Sequence, residues 1–420
     1  MTSDVPTTAA ALPPARGTRP RNRAALILAA STYLFCRRGY SNVGMADIAE
    51  AVAIRPSALY RHFPGKQQLL GEVVLGTLAE IRALVDGLAG TDREVWLPAL
   101  AELALDNRRI GVLWRRESRH LAAEDRARMR TAVAGVRSQV AALTLAARPD
   151  LGTAPDLGTV PDGGAALAGV LSGFLAAALL SVSYHGLGLP RREFARLLTE
   201  LATTVLDAEL PADLATRWAG PARPVSGGVR PRSRREALLV EATRMFAERG
   251  FAEVGLDDIG APLGLTGAAI YHHFPTKLTI LQSAFHRGNE WLWAEFSQAM
   301  AAATDQADAL RGLLRSYGSF AVHHADLINL LIREGPQLPV EDQRPAYLSQ
   351  HAYLDEWVEL ALAVHPAMDP VAARIRVHAV LTVANEVAGS RRLRQHPAAL
   401  DTLQVIGAAL LRLSPDGAPR

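Results

Sequence analysis

At 420 residues the chain exceeds the usual span of one domain, about 100–200 residues, so two or more domains are expected. Lys+Arg 45 against Asp+Glu 42 leaves a net charge of +3, which excludes a chain-wide electrostatic claim on nucleic acid and leaves such a claim to local clusters. A single cysteine, Cys36, excludes an intramolecular disulfide framework and fits a reducing compartment. Beside Phe35 on the inner half of a helix it reads as a small core residue.

In chain order, residues 1–20 lack an apolar leader segment and are rich in Pro, Thr and Ala, so they read as a disordered basic arm of a cytoplasmic protein. Arg16, Arg19, Arg21 and Arg23 lead from it into a helix over Ala24 to Arg38. Such an arm either reaches phosphates or a minor groove, or is merely solvated. Leu26, Ile27, Ala30, Leu34 and Phe35 form the apolar stripe of that helix, and Gly39 suits its C-terminal stop.

From Met45 to Leu70 the pattern predicts a helix-turn-helix. Met45, Ile48, Ala49 and Val52 fall at i, i+3, i+4 and i+7, which makes one face of a two-turn helix apolar. Pro56 fits the first turn of a second helix, where its missing N–H costs nothing, and Pro64-Gly65 stops that helix near Phe63. So brief a helix builds no core of its own. Its outward residues, Arg55, Ser57, Tyr60, Arg61 and His62, suit phosphates and base edges.

A long connector follows from Lys66 through Leu70, Val73, Leu78 and Ile81. The first body then continues in helices over Val95–Leu105, Ile110–Leu121, Arg126–Ala147 and Arg191–Leu210. Between the last two lies Gly163 to Pro190, which carries no Asp, Glu, Lys or Arg. It is long enough to span a bilayer, yet an apolar helix inside a large helical protein is usually interior. No membrane partner is expected. No strand alternation of useful length appears, so the chain is predicted all-α.

Residues 211–231, with Pro221, Pro224, Gly227, Gly228 and Pro231, read as a linker. Beyond it the first head returns. Compared without gaps at a spacing of 211, residues 21–70 and 232–281 share 18 of 50 identities, including Phe35 with Phe246, Asp47-Ile48 with Asp258-Ile259, and Tyr60-x-His62-Phe63-Pro64 with Tyr271-x-His273-Phe274-Pro275. The chain is an internal duplication. Its predicted plan is a head at 21–66, a body at 67–210, a second head at 232–277 and a second body at 278–414. The bodies repeat weakly: Arg116-Glu117 with Glu124-Asp125 matches Arg333-Glu334 with Glu341-Asp342.

Asp47-Ile48-Ala49, Leu59-Tyr60-x-His62-Phe63 and Lys66, with Asp258-Ile259-Gly260, Ile270-Tyr271-x-His273-Phe274 and Lys277, resemble the N-terminal signature of TetR-type (TetR/AcrR) transcriptional regulators. The chain is most similar to double-headed members. The resemblance implies three-helix heads followed by helical ligand-binding and dimerisation bodies. It places Arg55, Ser57, Tyr60, His62 and Lys66 at DNA in the first head, and Thr266, Gly267, Ala268, Tyr271, His273 and Lys277 in the second, where His272 is adjacent. Ala53 departs from the family's turn glycine and Arg55 from its Ser or Thr cap, whereas Gly264 and Thr266 keep both. Pro262 falls late in a short helix, where an interior proline costs roughly 3 kcal/mol unless it sits at the end, so the second head is expected to be the weaker reader.

Aromatics concentrate in the second body: Trp291, Trp293, Phe296, Tyr317, Phe320, Tyr353 and Trp357, against Trp96, Trp114, Phe174 and Tyr184 in the first. Core packing accounts for most of them, while a cavity for a small apolar effector would be lined by such residues with a few polar groups such as His323, His324 or Tyr317. The adjacent pairs His272-His273 and His323-His324 point about 100° apart on a helix and chelate poorly, so no metal is expected; nor is a cofactor, and no catalytic constellation stands out. The sequence thus predicts a regulator of double-stranded operator DNA, a repressor acting as a covalent pseudo-dimer that can also pair as a homodimer. Two alternatives are a single-headed binder whose other unit senses or dimerises, and, remotely, an enzyme.

Overall fold

The structure, a computed structural model, describes residues 23–154, 158–159, 161–222 and 231–414; the basic arm over 1–20 and Arg230 lie outside these. Among the described residues the regular structure is helical, apart from a two-residue antiparallel ladder pairing Thr153–Ala154 with Gly158–Thr159. One compact unit runs to Arg148 and takes Ala168–Thr203; the other takes Pro149–Leu167 and the chain from Thr204 onward.

In the first unit the head is α1 (Arg23–Arg38), α2 (Met45–Ala51) and α3 (Pro56–Tyr60), followed by the connector α4 (Lys66–Gly87). Ile27, Phe35, Ile48, Leu59, Leu69 and Leu70 are fully buried in its core, each contributing about 1.5–3 kcal/mol of burial. The body supplies α5 (Arg93–Asp106), α6 (Ile110–Val112), a π-helical turn at Leu113–Glu117, α7 (Ala123–Ala147), α8 (Pro161–Leu180) and α9 (Arg191–Leu206). Leu113, Leu121 and Met129 of the body belong to the same core cluster as the head. Gly163–Tyr184 is long and apolar enough to cross a membrane, but 72% of its window is buried, as an interior helix would be.

The expected linker contains α10 (Leu214–Ala219), which belongs to the second unit. Its Trp218 is buried, stacks on His396 at 3.9 Å and donates from Nε1 to Thr402 Oγ1 at 3.0 Å. Residues 214–219 are therefore a docked strap and not free linker, because a buried indole with a satisfied N–H anchors the backbone around it.

The second head is α11 (Arg234–Arg249), α12 (Leu256–Gly260) and α13 (Gly267–Tyr271), and α14 (Lys277–Ala302) is its connector. The body comprises α15 (Gln306–His323), α16 (Ala325–Arg333), α17 (Val340–Val364), α18 (Pro370–Gly389), α19 (Arg391–Gln395) and α20 (Ala399–Leu410). α15 packs against α14, α17, α18 and α20, with Leu310, Leu313 and Trp357 fully buried. The proline penalty expected in the second head does not arise. The α-helix ends at Gly260, and Pro262 sits in a short 3-10 turn, Ala261–Leu263, where its fixed φ fits.

Candidate nucleic-acid interface

Each head pins one side of a five-residue helix and exposes the other. Leu59 and Ile270 are fully buried, as is Phe274, and Phe63 is nearly so; they fix the roll of α3 and α13. Tyr60 and Tyr271, one residue further on, are 51% and 58% exposed. Arg55, Ser57, Arg61 and His62 are also exposed in the first head, and Thr266, Ala268 and His272 in the second, while Gly267 and His273 are half-buried. The arrangement offers hydroxyl, guanidinium and imidazole donors on one face, the chemistry that phosphates and base edges accept.

The turns before these helices are built alike from different residues. Ala53 has φ 53° and Gly264 φ 66°, so both occupy the left-handed region. The amide of Ile54 donates to the Ala49 carbonyl at 2.9 Å, and that of Leu265 to the Gly260 carbonyl at 3.0 Å. Thr266 caps α13, its hydroxyl accepting from the Ala269 amide at 3.4 Å, whereas Arg55 makes no side-chain cap. The second helix of each head is capped in the same way: Asp47 Oδ2 accepts from the Gly44 amide at 2.6 Å and Asp258 Oδ2 from the Gly255 amide at 2.8 Å. That bond, with Arg249 beside it, holds the Asp258 carboxyl below its ordinary value.

Lys66 and Lys277, expected at phosphates, point inward instead. Lys66 Nζ donates to the Tyr40 carbonyl at 2.9 Å and lies 4.1 Å from the centre of the Tyr40 ring. Lys277 Nζ donates to the carbonyls of Phe251 at 2.8 Å and Val254 at 2.9 Å, over the Phe251 ring at 4.4 Å. Partial burial lowers both ammonium pKa values, the mark of groups drawn from water to seat the loop after the first helix. The Tyr40 and Phe251 carbonyls each lie 26 residues upstream, which local pattern does not reveal.

One contact has no local signature. Asp257 Oδ1 accepts from the Gly267 amide at 3.0 Å, joining α12 to the start of α13. The first head has Ala46 and Pro56 at these places, lacking both carboxylate and N–H. The available signal is that the two positions change together between the copies.

The model of bacterial regulatory proteins of the tetR family matches residues 27–73 and again 238–284. The region that this family model describes thus occurs twice in the chain. It is 31% identical over 99 residues to the HTH-type transcriptional repressor KstR2 of Mycolicibacterium smegmatis, covering 23% of this chain and 48% of that protein. It is 30% identical over 117 residues to the HTH-type transcriptional activator FasR of the same organism, covering 27% and 53%. The chain thus spans about half the length of these curated relatives. Among solved structures, the TetR-family regulator PfmR of Thermus thermophilus aligns with 20% identity and a TM-score of 0.38, over 44% of this chain and 98% of that one.

The expected lining residues of the two bodies have different surroundings. Trp114 packs against the core of the first head, Phe174 is fully buried in α8, and the Tyr184 hydroxyl donates to the Gly111 carbonyl at 3.1 Å. In the second body Tyr317, Tyr353, Trp357 and Trp293 do form one cluster. Tyr317 lies 6.2 Å from Trp357 and 6.4 Å from Tyr353, and Trp293 stands edge-on to Tyr353 at 5.8 Å. Its polar edge is the Tyr317 hydroxyl donating to Asn385 Oδ1 at 2.9 Å. Trp291 and Phe320 form a neighbouring group with His324. His323 is exposed, and its Nδ1 is bonded back to Ser319 of its own helix.

Proposed function

We propose that this chain is a ligand-responsive transcriptional repressor in the cytoplasm that reads double-stranded DNA with two heads on one polypeptide. The observation that carries the reading is the pair Tyr60 and Tyr271. Both are more than half exposed at the same place of duplicated helices whose opposite sides are pinned by Leu59 and Ile270. Arg55, Ser57, Arg61 and His62 complete the first face, and Thr266, His272 and His273 the second. Two heads on one chain meet two half-sites without a partner copy, their centres about 34 Å apart on one face of the duplex; pairing of two chains would double the heads. No step of the proposal is catalytic.

Selection of duplexes from a random pool tests this. Tyr60→Ala and Arg61→Gln should each weaken the selected duplex about tenfold, near 1.4 kcal/mol. A wild-type protein that enriches no duplex would end the DNA-reading proposal.

The effector reading rests on the aromatic cluster of the second body. It fits a small, largely apolar molecule held by one or two polar contacts at Tyr317 and Asn385, binding one head pose better than another and so shifting the population. Substitutions of Tyr317 and Trp357 that leave the release of DNA by an apolar effector unchanged would remove this part.

A second reading has its own support. Thr266 and His272 flank the recognition helix of the second head where Arg55 and Arg61 flank that of the first, and the Asp257 carboxylate stands at its start, where phosphate would be repelled. In that reading the first head alone reads DNA and the second unit senses or assembles.

A further inference from the structure

The two heads share one scaffold and differ on its open side. At the spacing of 211, Ile48 corresponds to Ile259, Leu59 to Ile270 and Phe63 to Phe274, and all six are buried apolar residues. Tyr60 and Tyr271 correspond as well, both in the open. Around the tyrosines the chemistry changes. The guanidiniums of Arg55 and Arg61 give way to the hydroxyl of Thr266 and the imidazole of His272, Ser57 gives way to Ala268, and Ala46 to Asp257. Each of these residues is exposed, so core packing does not dictate the exchange.

Asp257 is held against the first residue of α13. Its Oδ1 accepts from the Gly267 amide at 3.0 Å, and glycine is what admits it, since a Cβ at position 267 would stand 2.5 Å from that oxygen. Pro56, at the same place in the first head, offers no N–H to a carboxylate. The guanidinium of Arg249 is paired with the adjacent Asp258 at 3.3 Å. In a helix-turn-helix the first residues of the reading helix meet base edges in the major groove. An arginine there matches O6 and N7 of guanine, whereas a carboxylate accepts from the N4 amino group of cytosine. Adenine also presents an amino group, but beside the N7 acceptor, which a carboxylate opposes.

We propose that the two heads read unlike half-sites, guanine at Arg55 or Arg61 in the first and cytosine at Asp257 in the second, so that the operator is not a palindrome. Asp257 is the specificity-determining residue of the second head. The charge that repels phosphate there selects an amino edge. This inference rests on the two-headed reading and deepens it, by giving each head its own base preference.

The experiment is selection of duplexes from a random pool by the full chain, as wild type, as Asp257→Asn, and as the double variant Asp257→Ala with Gly267→Pro, which rebuilds the first head's pair of residues in the second. Far-UV circular dichroism verifies that each is folded. Asp257→Asn keeps an oxygen for the Gly267 amide and turns an amide N–H2, a donor, toward the bases. A purely structural role for Asp257 would therefore leave the selected sequence as it is. The expected wild-type result is two unlike half-sites, one of them favouring cytosine at a single position by about tenfold over the other bases. Both variants should lose that preference while the other half-site keeps its sequence. A wild-type selection that is palindromic or lacks the cytosine, or a cytosine preference that survives Asp257→Asn, would overturn the inference and leave the two-headed reading standing. A single half-site, untouched by Asp257→Asn, would defeat the two-headed reading and the inference with it; no enriched duplex would end both along with DNA reading itself.

Discussion

Ala53 and Gly264 occupy the same place in two copies of one turn, and both carry left-handed backbone, φ 53° and 66°. For a residue with a Cβ this conformation costs about 1–2 kcal/mol, and glycine adopts it freely. Ala53→Gly is therefore expected to stabilise the first unit by about 1 kcal/mol, and Gly264→Ala to destabilise the second by a similar amount. Urea unfolding with an unchanged m-value reads both.

Lys66 separates structure from recognition. Because its ammonium is committed to the Tyr40 carbonyl and ring, Lys66→Met should cost about 1–3 kcal/mol of stability through loss of a charged hydrogen bond, leaving the part-buried Tyr40 carbonyl with the Val43 amide alone. The salt slope of DNA binding should stay near that of wild type, whereas Arg61→Gln should reduce it by about one. Chemical denaturation and binding at several salt concentrations make the comparison.

His378 gives a pH dependence. Burial, with Arg374 and His351 nearby, pushes its imidazole down to about 4 from 6.5; Arg374 is itself paired with Asp355. The folded state favours the neutral ring, so this contribution is complete above pH 6.5 and is lost as pH falls toward 4, where the unfolded chain takes up the proton first. The loss is about 3 kcal/mol across that window. His378→Phe should flatten stability between about pH 7 and 4; a curve identical to wild type would contradict the assignment.

The docked strap is tested by Trp218→Ala. Removing an indole that stacks on His396 and bonds Thr402 should destabilise the second unit by about 3–5 kcal/mol and leave the first head's DNA affinity intact. Differential scanning calorimetry resolves the two units.

Much of the fold was legible in the sequence because its signals are local. The Met45-Ile48-Ala49-Val52 face, Pro56 at a helix start and the Pro64-Gly65 stop place α2 and α3 to within a few residues. Duplication then fixed the second head, including Tyr271 beside Ile270. What was not legible depends on distant partners. Lys66 reaches back to Tyr40, Arg116 to Phe35 and Cys36, and Trp218 forward to Thr402; a side chain's type does not reveal which distant group will meet it. The aromatics of the first body illustrate the same limit, since Trp114 packs on the head and Tyr184 on Gly111, while those of α14, α15 and α17 converge because their helices pack together.

Footprinting of the full chain on its selected duplex, comparing wild type with Tyr60→Ala and Tyr271→Ala, addresses the two-headed reading most directly. The account predicts that each substitution erases protection over a different half-site, the two centred about one helical turn or a whole multiple apart. Protection unchanged by Tyr271→Ala and abolished by Tyr60→Ala would contradict it and make the second unit a sensor or an assembly module.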